Sequence, residues 1–583
     1  MKKRRNVTFN HNPLLDKGLP VWRPRVVLLA LLAGSFALVA RAGYLQGVNN
    51  EFLQAEGKQR YSRVIEMSAT RGKITDRNGT VLAASTPVKS IWAIPSDADL
   101  SPKQSRELAA LLDLDVRDLN RKLARTSDFA YLKRQVPPEV ADKVEALDLP
   151  GIHDHREFRR YYPGAEVMAH VLGFTGVDDH GQEGVELAFD DQLSGKPGSR
   201  RVIKDRRGRI VEDAGSIKKP QEGKDIVLSI DAKIQYLAYA ALQEAIAQHH
   251  AKAGGVVVLD ARTGEVLAMV NAPTYNPNNR GSLTGAQLRN RALTDTFEPG
   301  SVLKPFIAGL ALEKGKVRFD TVIDTGDGRL TIGNATINDT HKHGLMTVAE
   351  VIQKSSNVGI VRIAMNFQPA EMWTLYDQLG FGSPLRVGFP GETCGRLRPA
   401  SQWRPIEQAT MAYGHGISVS LMQLAHAYLA FARDGDVIPV SLTRAEAPRL
   451  NGQRVFSPQT VREVRAMMEM VTEDGGTAPQ ARVPGYRVAG KTGTAHKLEG
   501  GKYTDRYVAS FVGLAPASDP RLVIAVMIDE PSTRSYYGGQ VAGPVFSKVM
   551  AGGLRALSVP PDAPITPMQM AQQGADAKPR EKM

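Results

Sequence analysis

One cysteine, Cys394, stands in 583 residues, so no intrachain disulfide can form and cysteine usage is silent about compartment. Metal-ligand patterns are missing as well. His153, His155 and His170 invite a metal reading, but no Cys, His and Asp set near them has ligand spacing, and surface or hydrogen-bonding roles are expected. There is no nucleic-acid motif and no sustained basic helix, which leaves a net charge of +13 as the sole argument for nucleic acid. Nearly half of that excess lies in the first 25 residues, where Lys2, Lys3, Arg4, Arg5, Lys17, Arg23 and Arg25 face Asp16 alone. A nucleic-acid partner is therefore not expected. The apolar run from Val26 to Ala40 continues past Arg41 to Leu45 and so reaches roughly the 20 residues of a membrane helix. Basic residues on its N-terminal side predict a cytoplasmic tail over 1–25, an anchor over 26–45 and an exported remainder. A cleaved signal peptide is the rival, given the small residues around Ala40-Arg41-Ala42. The long polar leader and the arginine in that site count against it.

The rest is ordinary globular composition, 42% hydrophobic and 23% charged, at a length that suits two or three domains. Tyr44 to Arg60 continues the helical pattern outward. Asn78-Gly79, between short strand-like runs, predicts a hairpin over 71–83. Pro102–Leu112, Val116–Ala124 and Pro138–Leu147 read as helices. Residues 200–223 are basic, contain glycine and read as a linker, with a domain boundary near Gly223. Beyond it, strands are expected at 225–230, 256–260, 265–270, 487–489, 507–514 and 522–528, and a long helix from Ala232 to Gln248. Strands, then helices, then strands of one antiparallel sheet make an α+β fold. From Val559 onward the composition predicts a disordered tail.

Three short stretches carry the chemistry. After Pro299-Gly300, Ser301 stands where a helix cap is favoured, and the apolar positions Val302, Leu303, Phe306, Ile307 and Leu310 predict a mostly buried helix. Residues three apart share a helix face, so Lys304 can lie beside Ser301. A serine needs a neighbouring base to become a nucleophile, and a desolvated lysine can be that base near neutrality. Ser216 and Lys219 have the same spacing without the apolar helix. Ser355 and Asn357, after the apolar helical residues Val348, Val351 and Ile352, place a hydroxyl and an amide two residues apart. Lys491, Thr492, Gly493 and Thr494 follow a strand. There a cation and two hydroxyls along an extended edge suit a peptide ending in a carboxylate, and Gly493 permits close backbone approach.

Ser301-Val302-Leu303-Lys304, Ser355-Ser356-Asn357 and Lys491-Thr492-Gly493, in this order, resemble the three motifs of the serine β-lactamases and penicillin-binding proteins. Ser356, where the β-lactamase form carries aspartate, turns the resemblance toward the penicillin-binding side. Phe297-Glu298-Pro299-Gly300, Gly388-Phe389-Pro390-Gly391 and Gly543-Pro544-Val545-Phe546 look like further landmarks of penicillin-binding transpeptidases. Arg71-Gly72 and Tyr162-Pro163 through Glu186 resemble the non-catalytic pedestal of class B high-molecular-weight members. The whole is most similar to the division-specific peptidoglycan D,D-transpeptidases of FtsI type. No part resembles the glycosyltransferase domain of class A.

The resemblance implies a pedestal domain over 46–223, for dimerisation or interaction, and a serine β-lactamase-like transpeptidase domain over 224–557, with a tail over 558–583. It implies that Ser301 attacks a D-alanyl-D-alanine stem peptide, Lys304 takes its proton, and Ser355, Asn357 and Lys491 relay protons and steady the substrate. Thr492, Gly493 and Thr494 would line the substrate's carboxylate end, with backbone N–H groups of Ser301 and Thr494 as oxyanion donors. Neither a metal nor an organic cofactor is called for. Expected partners are lipid II-derived strands, β-lactams, a membrane glycosyltransferase and other division proteins, with Arg41 either snorkelling to the membrane surface or serving as a contact point for the glycosyltransferase. The implied location is the bacterial inner membrane, with the catalytic domain in the periplasm at the septum. Rival readings are an elongation-specific transpeptidase, a β-lactamase or carboxypeptidase, and a catalytically idle β-lactam sensor or division scaffold.

Overall fold

The structure is a computed structural model that describes residues 20, 22–48, 50–51, 62–124, 129–204, 210–281, 283–445, 447, 451–533 and 535–564. Its apolar N-terminal run forms helix α1 (Trp22–Gly43), which ends in a π-turn over Tyr44–Val48. Among the described residues this is the one helix long and apolar enough to cross a membrane, and none of it is covered by protein. An uncovered apolar helix of this length fits a single-pass membrane anchor. Arg41 lies near its outer end, over the Tyr44 ring at 5.6 Å. The expected helical continuation toward Arg60 falls from residue 52 outside the described residues.

The pedestal begins with β1 (Ser62–Met67), then the expected hairpin of β2 (Ile74–Thr75) and β3 (Val81–Ala93). Gly79 turns it at φ +87°, and the Asp76 carboxylate accepts the N–H groups of Asn78 and Thr80. Helices α2 (Pro102–Leu111) and α3 (Val116–Leu123) are N-capped by Ser101 and Asp115. With α4 (Pro138–Glu145) they cover a small separate core of Ile91, Leu108, Leu119, Leu132 and Val144. β3 pairs with β4 (Ala130–Val136) and along its length with β5 (Ile152–Tyr161). After helix α5 (Ala165–Leu172) the structure departs from the sequence reading. The supposed linker forms β6 (Gly198–Lys204) and β7 (Ile210–Lys218), in a sheet ordered β1-β6-β7. Val202, Ile203, Ile210 and Val211 suit strands, but the partner that completes their ladder, β1, lies some 135 residues earlier. Ser216 sits on strand β7 rather than at the start of a helix.

Beyond β8 (Ile226–Val227), helix α6 (Ala232–His249) leads into a five-stranded antiparallel sheet. Its strands are β9 (Ala253–Asp260), β10 (Val266–Ala272), β11 (Ala489–Glu499), β12 (Lys502–Ala515) and β13 (Leu522–Asp529), in the order β10-β9-β13-β12-β11. Every residue of β9 and β10 is buried, so they read as continuous apolar runs rather than alternating ones. Between β10 and β11 lie α7 (Lys304–Glu313), α8 (Val348–Gln353), α9 (Asn357–Ala364) and α10 (Leu421–Ala427). α10 packs on one face of the sheet, while α6 and the last helix, α11 (Gly543–Ala556), pack on the other. This is the expected α+β order. The chain after α11 differs from a disordered tail as far as it is described. Tyr486 donates to the Val559 carbonyl, and Asp562 accepts the Arg487 N–H and the Ser518 hydroxyl.

The two units share one core, which runs from Tyr162, Met168 and Leu172 into the central sheet. α5 is bonded across the joint. Gln235, Tyr275 and Asn290 donate to the carbonyls of Val167, Ala169 and His170. His170 itself donates to the Gln287 carbonyl at 2.7 Å, and burial lowers its pKa to about 4, so it serves as a neutral hydrogen-bonding histidine. Beneath the joint, Glu186 is fully buried between two guanidiniums, Arg71 Nε at 2.7 Å and Arg160 Nε at 2.7 Å. Removing one member of such a buried set strands the others. Glu186→Ala is therefore expected to destabilise the chain by about 3–5 kcal/mol, read as a lowered denaturant midpoint; a loss under about 1 kcal/mol would contradict this.

Candidate active site

Pro299 and Gly300 break the chain as expected, but Ser301 does not cap a helix. It lies inside a 3-10 turn, Gly300–Leu303, and α7 begins only at Lys304. Pro305, without an N–H, suits the first turn of α7, and the tighter turn before it eclipses residues three apart. Ser301 and Lys304 thus still share a side. The turn is wedged in place: the Gly300 N–H donates to the Gly414 carbonyl at 3.1 Å, and the buried Tyr428 hydroxyl donates to the Val302 carbonyl at 2.7 Å. Gly493 on β11 is where the strand meets this turn, since a Cβ there would stand 2.8 Å from the Pro299 oxygen and 3.1 Å from Val302. The backbone that Gly493 admits is therefore the protein's own serine turn. On its far side β11 is the sheet's edge, and among the described residues no strand pairs with it there.

Lys304 is fully buried. Its Nζ donates to the Ser355 carbonyl at 2.5 Å and to Asn357 Oδ1 at 2.7 Å, with Ser355 Oγ at 3.2 Å. The three acceptors match the three N–H bonds of an ammonium, and in the neutral amine the two closer ones satisfy its N–H bonds and leave the lone pair for a hydroxyl proton. Desolvation lowers the Lys304 pKa to about 7, against an opposing pull from Asp339. Ser355 reaches this position through a left-handed backbone, φ +60°, in the turn between α8 and α9. Such a conformation in a serine costs on the order of 1–3 kcal/mol and persists only where its surroundings enforce it.

Much of that enforcement comes from Asp339, which sequence reasoning missed. Its carboxylate accepts the Ser356 hydroxyl at 2.6 Å, the Asn357 N–H and the Val358 N–H at 3.0 Å, a cap on α9 supplied from outside the helix. The neighbouring Asn338 carbonyl accepts the Asn357 side-chain amide at 2.9 Å and so turns its oxygen toward Lys304. Ser356 stands where related motifs carry aspartate, and here a carboxylate arrives from 17 residues upstream. No local pattern around Asp339 announces this.

Lys491 is also fully buried, and its pKa is pushed well below the usual lysine range by desolvation and then by Lys304. Its contacts to the Thr492 carbonyl and hydroxyl are long, 3.4 and 3.3 Å. Both hydroxyls of this stretch have protein partners that the sequence did not reveal: Thr492 meets the Thr477 hydroxyl at 2.9 Å, and Thr494 accepts the Gly538 N–H at 3.0 Å. Glu298, just before the serine turn, accepts from the Gly416 N–H and the Tyr503 hydroxyl. Four of the five expected catalytic residues are linked, Lys304 bonded to Ser355 and Asn357 and Lys491 within electrostatic reach of Lys304, while Ser301 lies on the 3-10 turn that leads into Lys304. Among the described residues no His, Cys, Asp and Glu group could hold a metal. A hydroxyl, a neutral amine and a second buried amine beside an open strand edge can perform acyl transfer.

Residues 254–551 match the family described as the penicillin-binding protein transpeptidase domain, and residues 66–228 match the penicillin-binding protein dimerisation domain. A probable peptidoglycan D,D-transpeptidase, PenA, of Neisseria gonorrhoeae is 46% identical over 547 residues, 93% of this chain and 94% of that protein. The peptidoglycan D,D-transpeptidase FtsI of Escherichia coli is 41% identical over 550 residues, 93% of each. Among solved structures, a peptidoglycan synthetase of Bifidobacterium adolescentis aligns at TM-score 0.69 with 26% identity, over 87% of this chain and 98% of that one. The transpeptidase domain of Burkholderia pseudomallei penicillin-binding protein 3 aligns at 0.54 with 51% identity, over 58% and 98%.

Contact between the serine turn and β11 depends on a missing side chain. Gly493→Ala should destabilise the protein by about 1–3 kcal/mol, because neither the Pro299 carbonyl nor the sheet can yield cheaply. Gly285→Ala, where a Cβ meets open space, should stay within about 0.5 kcal/mol of the parent. Thermal unfolding of the two variants checks this, and equal melting temperatures would refute it.

Proposed function

The chain belongs to the penicillin-binding transpeptidase family, and on that premise we propose that Ser301 is the residue it acylates, with Lys304 as its base. The protein is a serine-type peptidoglycan D,D-transpeptidase of class B, carried on a single N-terminal anchor. The observation that carries the residue assignment is the buried Lys304, its two N–H directions satisfied by Ser355 and Asn357 and its pKa lowered to about 7.

In this reading the Ser301 hydroxyl proton passes to the Lys304 amine as the serine oxygen bonds to the penultimate D-alanine carbonyl carbon. Backbone N–H groups of Ser301 and Thr494 receive the developing oxyanion, a form of stabilisation that commonly outweighs proton transfer. The C–N bond to the terminal D-alanine then breaks, and Ser355 passes the proton from Lys304 to the leaving amine. The amine of a second stem attacks the serine ester, forms the cross-link and returns the proton to Ser301. Lys491 answers the substrate's carboxylate. Burial and Lys304 disfavour its charge in the free protein, and an arriving anion restores it. Thr492 and Thr494 line that carboxylate, their hydroxyls released from Thr477 and Gly538 or shared with them. β-Lactams acylate the same serine. The pedestal takes 46–223 and the catalytic unit 224–557. The septum is the site of action, beside a membrane glycosyltransferase, and the likeness to FtsI supports this. A fluorescent fusion should mark the division plane, and side-wall signal would overturn the septal assignment.

Acylation by benzylpenicillin should leave one covalent adduct by mass, absent in Ser301→Ala. Its rate should rise with pH and level off above about 7, because the neutral fraction of Lys304 grows as pH passes its pKa. Lys304→Ala should lose about 10²–10⁴-fold in rate. Asp339→Asn removes the carboxylate that favours charge on Lys304, so the midpoint should move to lower pH; an unchanged or higher midpoint would count against Lys304 as the base.

A further inference from the structure

Away from the Ser301 site, a small cavity lies on the joint between pedestal and catalytic unit. Its volume is about 70 Å³, and Arg159, Arg160 and Arg280 line it together with Gln135, Thr175 and Asn278. No carboxylate is among the lining residues. Arg159 and Arg160 end strand β5, while Arg280 comes from the catalytic unit. The two sides are held in register by reciprocal hydrogen bonds, the Tyr162 N–H to Asn278 Oδ1 at 3.0 Å and the Asn278 amide to the Tyr162 carbonyl at 2.9 Å.

The three guanidiniums are differently committed. Arg160 is 5% exposed; its Nε donates to Glu186 and its Nη1 to Ser85, while its Nη2 is buried without a hydrogen-bond partner. Glu186 is itself shared with Arg71, so it offsets only part of the charge of Arg160. Arg280 rests its flat face on Phe174 at 4.4 Å, which leaves its edge donors to point elsewhere. Arg159 is exposed beside them. Like charges bordering one small polar space repel one another, and an anion between them relieves that repulsion. Room for one compact group excludes a sugar ring or a peptide. A carboxylate is satisfied by one guanidinium in a planar, bidentate pair, whereas the unpartnered Arg160 Nη2 and the donors of Arg280, coming from two separate residues, suit a tetrahedral, doubly charged oxyanion.

We propose that this cavity is a phosphate-binding site that bridges the pedestal and the transpeptidase unit. The phosphate is either free inorganic phosphate or the terminal phosphate of a larger molecule reaching in from solvent. When it is bound, Arg280 and its segment are tied to β5, so the joint stiffens where the two units meet.

The test is calorimetric titration of the full-length chain in detergent with inorganic phosphate, at fixed ionic strength and with chloride as reference. Saturable binding of one phosphate is expected. Arg280→Ala should weaken it at least tenfold, and so should Arg159→Gln, an exposed change that leaves the core untouched. Arg262→Gln, at an unrelated surface ion pair with Asp519, should not. Hydrogen exchange over residues 274–281 should slow with phosphate, and penicillin acylation should be unchanged in all three variants. Glycerol 3-phosphate separates the sources: binding as tight as that of inorganic phosphate assigns the site to a pendant phosphate, and binding of the free ion alone assigns it to inorganic phosphate. Absence of saturable phosphate binding, or unaltered affinity in both arginine variants, overturns the proposal.

Discussion

Two lysines share one dry space, and the catalytic unit is arranged around that constraint. Lys304 and Lys491 are both fully buried, desolvation disfavours charge on both, and Lys304 further disfavours it on Lys491. For Lys304 the shift from an ordinary lysine to about 7 corresponds to roughly 5 kcal/mol against the ammonium form. A protein tolerates this only where neutral acceptors and rigid backbone stand ready. Here they are the Ser355 carbonyl, held in a strained left-handed turn, and the Asn357 oxygen, oriented by Asn338. Asp339 caps the helix that presents both and moderates the shift. Gly493 and Gly414 let β11 and the Gly414 loop close on the serine turn without a side chain between.

That closeness requires a stiff frame. α7 is buried along nearly its whole length, and Phe306 packs against Phe381, Tyr428 and Phe431. The core continues into the pedestal through α5, so the joint is continuous packing with backbone hydrogen bonds rather than a hinge of water-facing loops. The outer part of the pedestal keeps its own small core. Motion of that outer part can therefore occur without disturbing the serine turn, whereas a change at α5 or Glu186 reaches both units.

Elements that declare themselves locally were legible in the sequence: the Asn78-Gly79 hairpin, the capped helices after Ser101 and Asp115, α6, and the apolar strands of the central sheet. The side chains of the candidate site were legible for a different reason, since Ser301 with Lys304, Ser355 with Asn357, and Lys491-Thr492-Gly493, in this order, resemble the three motifs of a known family. What supports them was not. Asp339 caps a helix 17 residues away, Tyr428 holds a carbonyl 126 residues away, and Thr477 meets Thr492 across a loop. Nothing in the sequence near those residues encodes such partners. The basic stretch after Gly198 misled because its charge and glycines outweighed four β-branched residues whose ladder partner lay at the start of the pedestal. Ser301 as a helix cap misled because Pro305 lets a 3-10 turn precede the helix.

The central claim is that a large fraction of Lys304 is neutral amine at physiological pH before any substrate arrives. A carbon-13 titration of labelled lysine side chains in the full-length protein, with the Lys304 signal identified by its loss in Lys304→Arg, reads this directly. The account predicts that the Lys304 signal titrates near 7, more than three pH units below an ordinary lysine. A Lys304 signal that stays in its charged position up to pH 10 would contradict it.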